Sequence, residues 1–207
     1  MTTMQENKST GERESVTYGL EVEGESLIEL LEGAMTHADK GKNCLRALNS
    51  VQLVGERGYL SARATDRYRA IEGKIEVIEG ELTSTLIALD DIKRVLAIAR
   101  EGKISNKVTF NRVGDLLTVS VNGSSITLTV LDVNYPPSFD DLFNKCEVTA
   151  LESIAFNPVF FADYGKIVGK GVQVQVTFNG QGKPITIGLL SDKVEWRALL
   201  MPMRVAK

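Results

Sequence analysis

Cysteine, histidine and tryptophan are nearly missing from this sequence, at two, one and one in 207 residues. Cys44 and Cys146 show no motif spacing, which excludes a disulfide framework and fits a reducing cytoplasm. The lone His37, with no Cys/His cluster around it, excludes a transition-metal centre, and no metal or cofactor is expected. No apolar run approaches ~18 residues, so no membrane-spanning helix is expected. A strong charge of one sign is lacking too. The 24 Lys and Arg against 27 Asp and Glu leave a net charge of −3, so any contact with a polyanion must come from cations gathered on one face. Residues 1–15, MTTMQENKSTGERES, lack the apolar core of a signal peptide and read as a disordered tail.

Catalytic constellations are missing as well. His37 falls late in the first helical pattern with no nucleophile beside it, so it makes no triad. Asp90-Asp91, Asp132 and Asp140-Asp141 have the chemistry of magnesium ligands. At a helix start and in loops, however, such acids read as caps and solvated charges. No glycine-rich loop ends in Lys-Ser/Thr, so no phosphate-cradling loop is present, and GKGV (Gly169–Val172) reads as a helix C-terminus. An enzyme is not expected.

What is present is one unit, three times, at a period of roughly 60 residues. VTYGLEV (Val16–Val22) reads as a strand. GESLIELLEGAMTHAD follows with Leu27, Ile28, Leu30, Leu31, Ala34, Met35 and Ala38 at helical spacing. Strands come next, with GERG (Gly55–Gly58) as a hairpin turn. The second unit is the strand GELTSTLIAL, a helix starting near Asp90 as N-cap, and three strands. Their turns lie at Arg112–Asp115 and Asn122-Gly123. The third is the strand CEVTALESIAF, the helix NPVFFADYGKIVGK with Pro158 in its first turn, and three closing strands. NYPPSFDDLF (Asn134–Phe143), with two prolines, reads as a connector. A helix with a hairpin cannot bury its apolar stripe alone, so the units must pack their helices together against shared sheet. The expected fold is α+β, with antiparallel sheets and helices on one face.

Two features suggest binding. The chain closes on Leu199, Leu200, Met201, Pro202 and Met203, where Pro202 ends a strand and the methionines supply adaptable apolar surface. This segment either plugs the core or offers a site to a partner. Cations gather at the helices and their ends: Lys40, Lys42, Arg46, Lys93, Arg94, Arg100, Lys103, Lys166 and Lys170. They form either a strip for phosphates or the solvated faces of amphipathic helices. Glu25, Glu29 and Glu32 make the first helix acidic, against the strip.

ATDRYRA (Ala64–Ala70) and LLMPMRV (Leu199–Val205) together resemble two segments of the bacterial DNA polymerase III β sliding clamp family. VNYPPSFDDLF is similar to that family's connector, and IAFNPVFFADYGKIV to the helix opening its last half-domain. The resemblance implies a shortened, phage-type member with a DNA-clamp-like fold. Residues 16–145 would form a clamp-like domain of two repeats, and 146–207 half of another. It further implies a non-catalytic, cytoplasmic processivity factor that encircles duplex DNA and tethers a polymerase. A partner-peptide pocket would be lined by Thr65, Arg69, Pro136, Leu199, Met201, Pro202, Met203 and Arg204, with Arg69 or Arg204 bonding to the peptide. Polymerase and clamp-loader peptides, DNA and further copies of the chain are the implied partners. A clamp-like module that binds or competes for clamp partners without encircling DNA is the alternative. Arg67-Tyr68 stand where the family commonly has Gly-His, Ala70 replaces a larger apolar residue, and Asp140 sits where a basic residue is typical. Three units also fall short of the family's six per subunit and twelve per ring, a number that four chains would match.

Overall fold

The computed structural model of the protein describes residues 17–101, 106–135, 139–150, 153–168 and 173–204. The first unit runs β1 (Thr17–Glu23), α1 (Gly24–Met35), β2 (Ser50–Glu56), β3 (Tyr59–Thr65) and β4 (Arg69–Gly80). The second repeats this order as β5 (Leu82–Ala88), α2 (Leu89–Glu101), β6 (Lys107–Val113), β7 (Leu116–Val121) and β8 (Ser124–Thr129). A short helix α3 (Phe139–Asn144) follows, then α4 (Pro158–Val168), β9 (Val174–Thr177), β10 (Ile185–Leu189) and β11 (Glu195–Leu200). The α+β architecture, with strand–helix–strands repeats and antiparallel sheet, is as expected.

Local chemistry accounts for the element boundaries. Leu27, Leu30, Leu31 and Ala34 recur at helical spacing and are wholly buried, each leucine contributing about 2 kcal/mol by leaving water. Glu23 caps α1, its carboxylate accepting from the amides of Glu25 and Ser26. Burial opposes ionisation of Glu23, but these amide bonds outweigh it and hold its pKa below the ordinary value. Apolar spacing carries α1 on through Ala38, yet the helix stops at Met35. There the Thr36 hydroxyl donates back to the Gly33 carbonyl at 2.7 Å. His37 therefore lies in the turn after the helix, not within it, and is fully buried. Asp90 lies inside the first turn of α2 rather than at its cap. The hairpins close as expected: Arg57-Gly58 and Asn122-Gly123 all have positive φ, the two-residue turn whose twist matches its strands.

The first two units exchange their opening strands. β1 pairs with β6 along its length, and β5 pairs with β2. The sheet thus runs β5-β2-β3-β4-β1-β6-β7-β8. β4 is long enough to serve two neighbours on one side. Arg69–Lys74 pair with Leu200–Glu195 of β11, and the far end of β4 pairs with β1. The third unit is fastened to the first by this β4–β11 ladder and by Trp196. Its indole fits only because Gly33 of α1 and Gly73 of β4 have no side chains; a Cβ at either would lie 2.4 Å from the ring. Helix α1 packs against both α2 and α4, so the three longer helices lie side by side.

The third unit departs from expectation in one respect. Among the described residues, CEVTALESIAF forms no strand, only single bridges from Thr149 to Asn179 and from Ala155 to Met203. Gly169–Val172 lie outside the described residues.

Candidate functional site

The β4–β11 junction brings the two quoted segments together. Thr65 closes the β3–β4 turn, its hydroxyl donating to the Arg69 carbonyl at 2.7 Å and accepting from the Arg67 amide. Arg67 takes a φ of 79°, which lifts Tyr68 to the tip. Beyond β11 the chain stays beside this tip: the Met201 amide donates to the Tyr68 carbonyl at 2.8 Å. Pro202 ends the ladder, and the Met203 amide donates to the Ala155 carbonyl at 2.7 Å.

The side chains then divide by direction. Leu199 and Leu200 are buried, while Met201, Met203 and Tyr68 are 42%, 57% and 61% exposed. Pro202 is half-buried and Arg204 exposed. The Tyr68 ring stacks on Phe160 with centroids 6.1 Å apart, and Val159 is exposed next to Phe160 in the chain. The tail therefore does both things the sequence allowed, filling the core with leucines and presenting methionines to solvent. Leu199 meets Ala70 and Phe139 in a small separate cluster, flanked by Tyr135, Phe143 and Cys146. Phe139 and Phe143 come from α3, a helix inside the segment expected to be a connector. Pro136 lies outside the described residues.

Arg69 is held by partners within the chain. Its guanidinium is buried and turned inward. It donates to Asp66 at 2.9 Å, Asp163 at 2.6 Å, the Thr36 carbonyl at 2.7 Å and, weakly, the Phe160 carbonyl at 3.4 Å. It also lies 4.6 Å from the Phe160 ring centroid. Four of its five N–H donors are taken up within the chain, so Arg69 ties the first unit to the third. Burial opposes ionisation of Asp163, but hydrogen bonds from Lys166 and Arg69 outweigh it and lower its pKa. His37, 5.1 Å from the Tyr164 ring, has its pKa pushed well below the usual imidazole value, first by burial and then by the Arg69 cation. A second network pins α3. Buried Glu72 accepts from Arg63 at 2.6 Å and from Arg197, whose other nitrogen meets Asp140 at 2.5 Å. Asp140 is held below its ordinary pKa chiefly by that Arg197 bond.

The helix face is assembled but not purely cationic. Lys40, Lys93 and Arg100 line one groove of about 300 Å³ between α1 and α2, together with Glu32. Lys42 and Arg46 are exposed on the loop after α1. Lys103 and Lys170 lie outside the described residues. Each candidate carried by a described helix already has an acid: Lys93 on Asp90, Arg94 on Asp91, Arg100 on Glu32 and Lys166 on Asp163. Between α1 and α4 the wall is more acidic, with Glu25, Glu29, Glu32 and Asp192 against Lys166 and Lys193 around Ile28 and Leu190. No group of acids, histidines or cysteines among the described residues is arranged to hold a metal ion. No helix among them is long and apolar enough to cross a membrane.

Comparison of this architecture with solved structures decides the fold. The β subunit of DNA polymerase III from Thermotoga maritima superposes with a TM-score of 0.75 at 19% identity, over 96% of this chain and 69% of that one. The chain has the sliding-clamp fold. The β subunit from Borrelia burgdorferi, solved with a natural product, gives 0.70 at 13% identity, covering 97% of this chain and 67% of that one. Archaeal PCNA from A. fulgidus, solved with the C-terminal region of FEN-1, gives 0.66 at 10% identity, covering 92% of this chain and 100% of that one. The chain thus spans about two thirds of the bacterial subunits and the full length of that PCNA chain. No family model and no curated protein matches the sequence.

Proposed function

We propose that this protein is a sliding clamp, a processivity factor that encircles duplex DNA and tethers a replicative polymerase. Residues 16–145 act as a clamp-like domain and 146–207 as half of another. The observation that carries the reading is the β4–β11 junction, which sets Tyr68 and Phe160 beside exposed Met201 and Met203. Methionine surface adapts to varied apolar anchors. Short polymerase and clamp-loader peptides dock there against Met201, Pro202, Met203 and Tyr68. Arg204 is an exposed cation at the rim; Thr65, Arg69 and Leu199 hold the surface from beneath. The chain needs no chemistry of its own, since tethering raises the local concentration of polymerase at the primer end. The likeness to β subunits of DNA polymerase III supports an accessory role, and the same reading places the protein in the cytoplasm.

On the helix face, Lys40, Lys93 and Arg100 in their shared groove, with Lys42 and Arg46, are the phosphate contacts. Such contacts read no sequence and permit sliding. The test is titration of the clamp-binding peptide of a bacterial replicative polymerase into the protein. Binding that Met203→Asp weakens by about 10- to 100-fold, with folding intact, supports the reading; affinity unchanged by that substitution overturns it. The second reading, a clamp-like module that binds clamp partners without encircling DNA, is favoured by the acids of α1 and the pairing of the helix cations. Retention on circular but not linear duplex separates the two.

A further inference from the structure

The outer face of the β4–β11 ladder is covered by a piece of the chain that the main core does not hold. Alternate residues share a face, so the paired Ala70 and Leu199, and the paired Glu72 and Arg197, lie on one side of the ladder. They lie opposite Trp196, whose ring packs against α1. On their side the cover is α3. Phe139 and Phe143, four apart on one helix face, meet Leu199 and Ala70 in a cluster separate from the main core. The rest of the attachment is ionic and aromatic. Asp140 accepts from Arg197 at 2.5 Å, the Arg197 guanidinium lies 4.3 Å from the Phe143 ring centroid, and that of Arg63 lies 5.8 Å from the Phe139 centroid.

Three properties make α3 detachable. A helix of six residues has no stability of its own and lasts only while it is docked. The Asp140 side chain is 57% exposed, so its bond to Arg197 is a surface ion pair that contributes little. The floor beneath α3 runs on into the exposed methionine surface: the Met201 amide, two residues beyond Leu199, bonds to the Tyr68 carbonyl, two residues before Ala70. The covered face also has a sign. Arg63, Lys74 and Arg197 surround the buried acid Glu72, and Asp140 adds its negative charge from α3. With α3 lifted, those three cations outnumber Glu72 beside an apolar floor.

We propose that α3 is an intramolecular strap on the outer half of the partner site, and that the partner which displaces it is an acidic peptide. That peptide carries two large apolar side chains about one helical turn apart, repeating the Phe139-Asp140-x-x-Phe143 pattern. Strap and incoming peptide use the same floor, Leu199 and Ala70, and the same cations, Arg63 and Arg197. Apparent affinity for a partner then scales with the fraction of molecules whose strap is open. The inference deepens the peptide-site reading and rests on it for the purpose of the site. Its test uses a peptide of this chain, so the two readings fail separately.

The experiment is fluorescence anisotropy of a labelled peptide of residues 139–145, FDDLFNK, added to the full chain as wild type, as Phe139→Ala/Phe143→Ala and as Asp140→Asn. The double variant loosens the strap and is expected to bind the peptide at least about tenfold more tightly than wild type, in proportion to the open fraction. Circular dichroism and the fluorescence of Trp196, the one tryptophan, check its fold. If that fold is disturbed, Asp140→Asn decides, with a gain of about 2- to 5-fold for loss of an exposed ion pair. Equal affinity for wild type and variants, no binding to any of them, or equal binding of a control peptide with both phenylalanines replaced by alanine overturns the proposal. A second arm uses the polymerase peptide of the Met203→Asp test. Strap variants that bind it more tightly than wild type support the proposal. Equal or weaker binding makes α3 a fixed wall of the site and overturns the proposal, while the peptide-site reading stands.

Discussion

The junction of the first and third units and the face of the three helices handle charge in opposite ways. At the junction, the central ionic groups point inward: Arg69 lies between Asp66 and Asp163, and Glu72 between Arg63 and Arg197. The surface is left largely to Tyr68, Met201 and Met203, with Arg67 and Arg204 exposed at its rim. On the helices the ions are outside and paired with one another, while the leucines are buried. A surface whose charges are withdrawn suits an apolar peptide. A surface whose cations already hold acids binds a polyanion only by exchanging partners, so its contacts are weak and replaceable. Such contacts suit sliding better than fixed binding.

The comparison can be broken most severely at Arg69. Arg69→Ala leaves two carboxylates and two carbonyls buried without their cation, and loss of one partner from such a site costs about 3–5 kcal/mol. Denaturant unfolding should show that loss, with the third unit released before the other two. Gly33→Ala attacks the same junction sterically. Its Cβ would meet the Trp196 indole at 2.4 Å, and overpacking of this kind costs about 1–3 kcal/mol, readable as a lower Tm.

Met203→Asp should leave stability nearly unchanged, since the residue is exposed, but weaken peptide binding by about 10- to 100-fold, as expected when an apolar contact of about 1.5–3 kcal/mol is lost. Calorimetric titration checks both halves. The buried imidazole gives a pH signature. The pKa of His37 is lowered on folding, so the unfolded chain takes up a proton that the folded chain refuses. Its contribution is fully present above about pH 6.5 and falls by about 1.4 kcal/mol per pH unit below it, until the lowered folded pKa is reached. As the only histidine, its NMR titration can be followed unambiguously. The smallest effect is expected on the helices. Replacing Lys93, Arg94 and Arg100 together by Ala should reduce the salt slope of DNA binding by less than about 3, the value for three free phosphate contacts. Each of the three first has to leave its acid.

Much of this was legible in the sequence because it is local. Periodic leucines placed α1, Asn122-Gly123 placed the β7–β8 hairpin, and Pro202 marked the end of β11. What escaped depends on distant partners. The exchange of β1 and β5 leaves no mark in either strand's own pattern. Helix α3 is too short, and too close to two prolines, for its period to show; only the spacing of Phe139 and Phe143 hinted at one face. Arg69 reads as a ligand contact because it stands in a recognised motif. Its inward turn is dictated by Asp163, 94 positions further on. His37 sits on the apolar period of α1 and was read as helical, but the Thr36 back-bond ends the helix before it.

The most direct test uses the methionine methyls. The chain has five methionines, of which Met35 packs against the core beside the helix groove and Met201 and Met203 flank Pro202. In methyl-labelled protein, titration with the polymerase peptide should shift the Met201 and Met203 resonances and leave Met35 in place. Shifts confined to Met35, or none at all with a peptide that demonstrably binds, would contradict the assignment of the β4–β11 junction as the partner site.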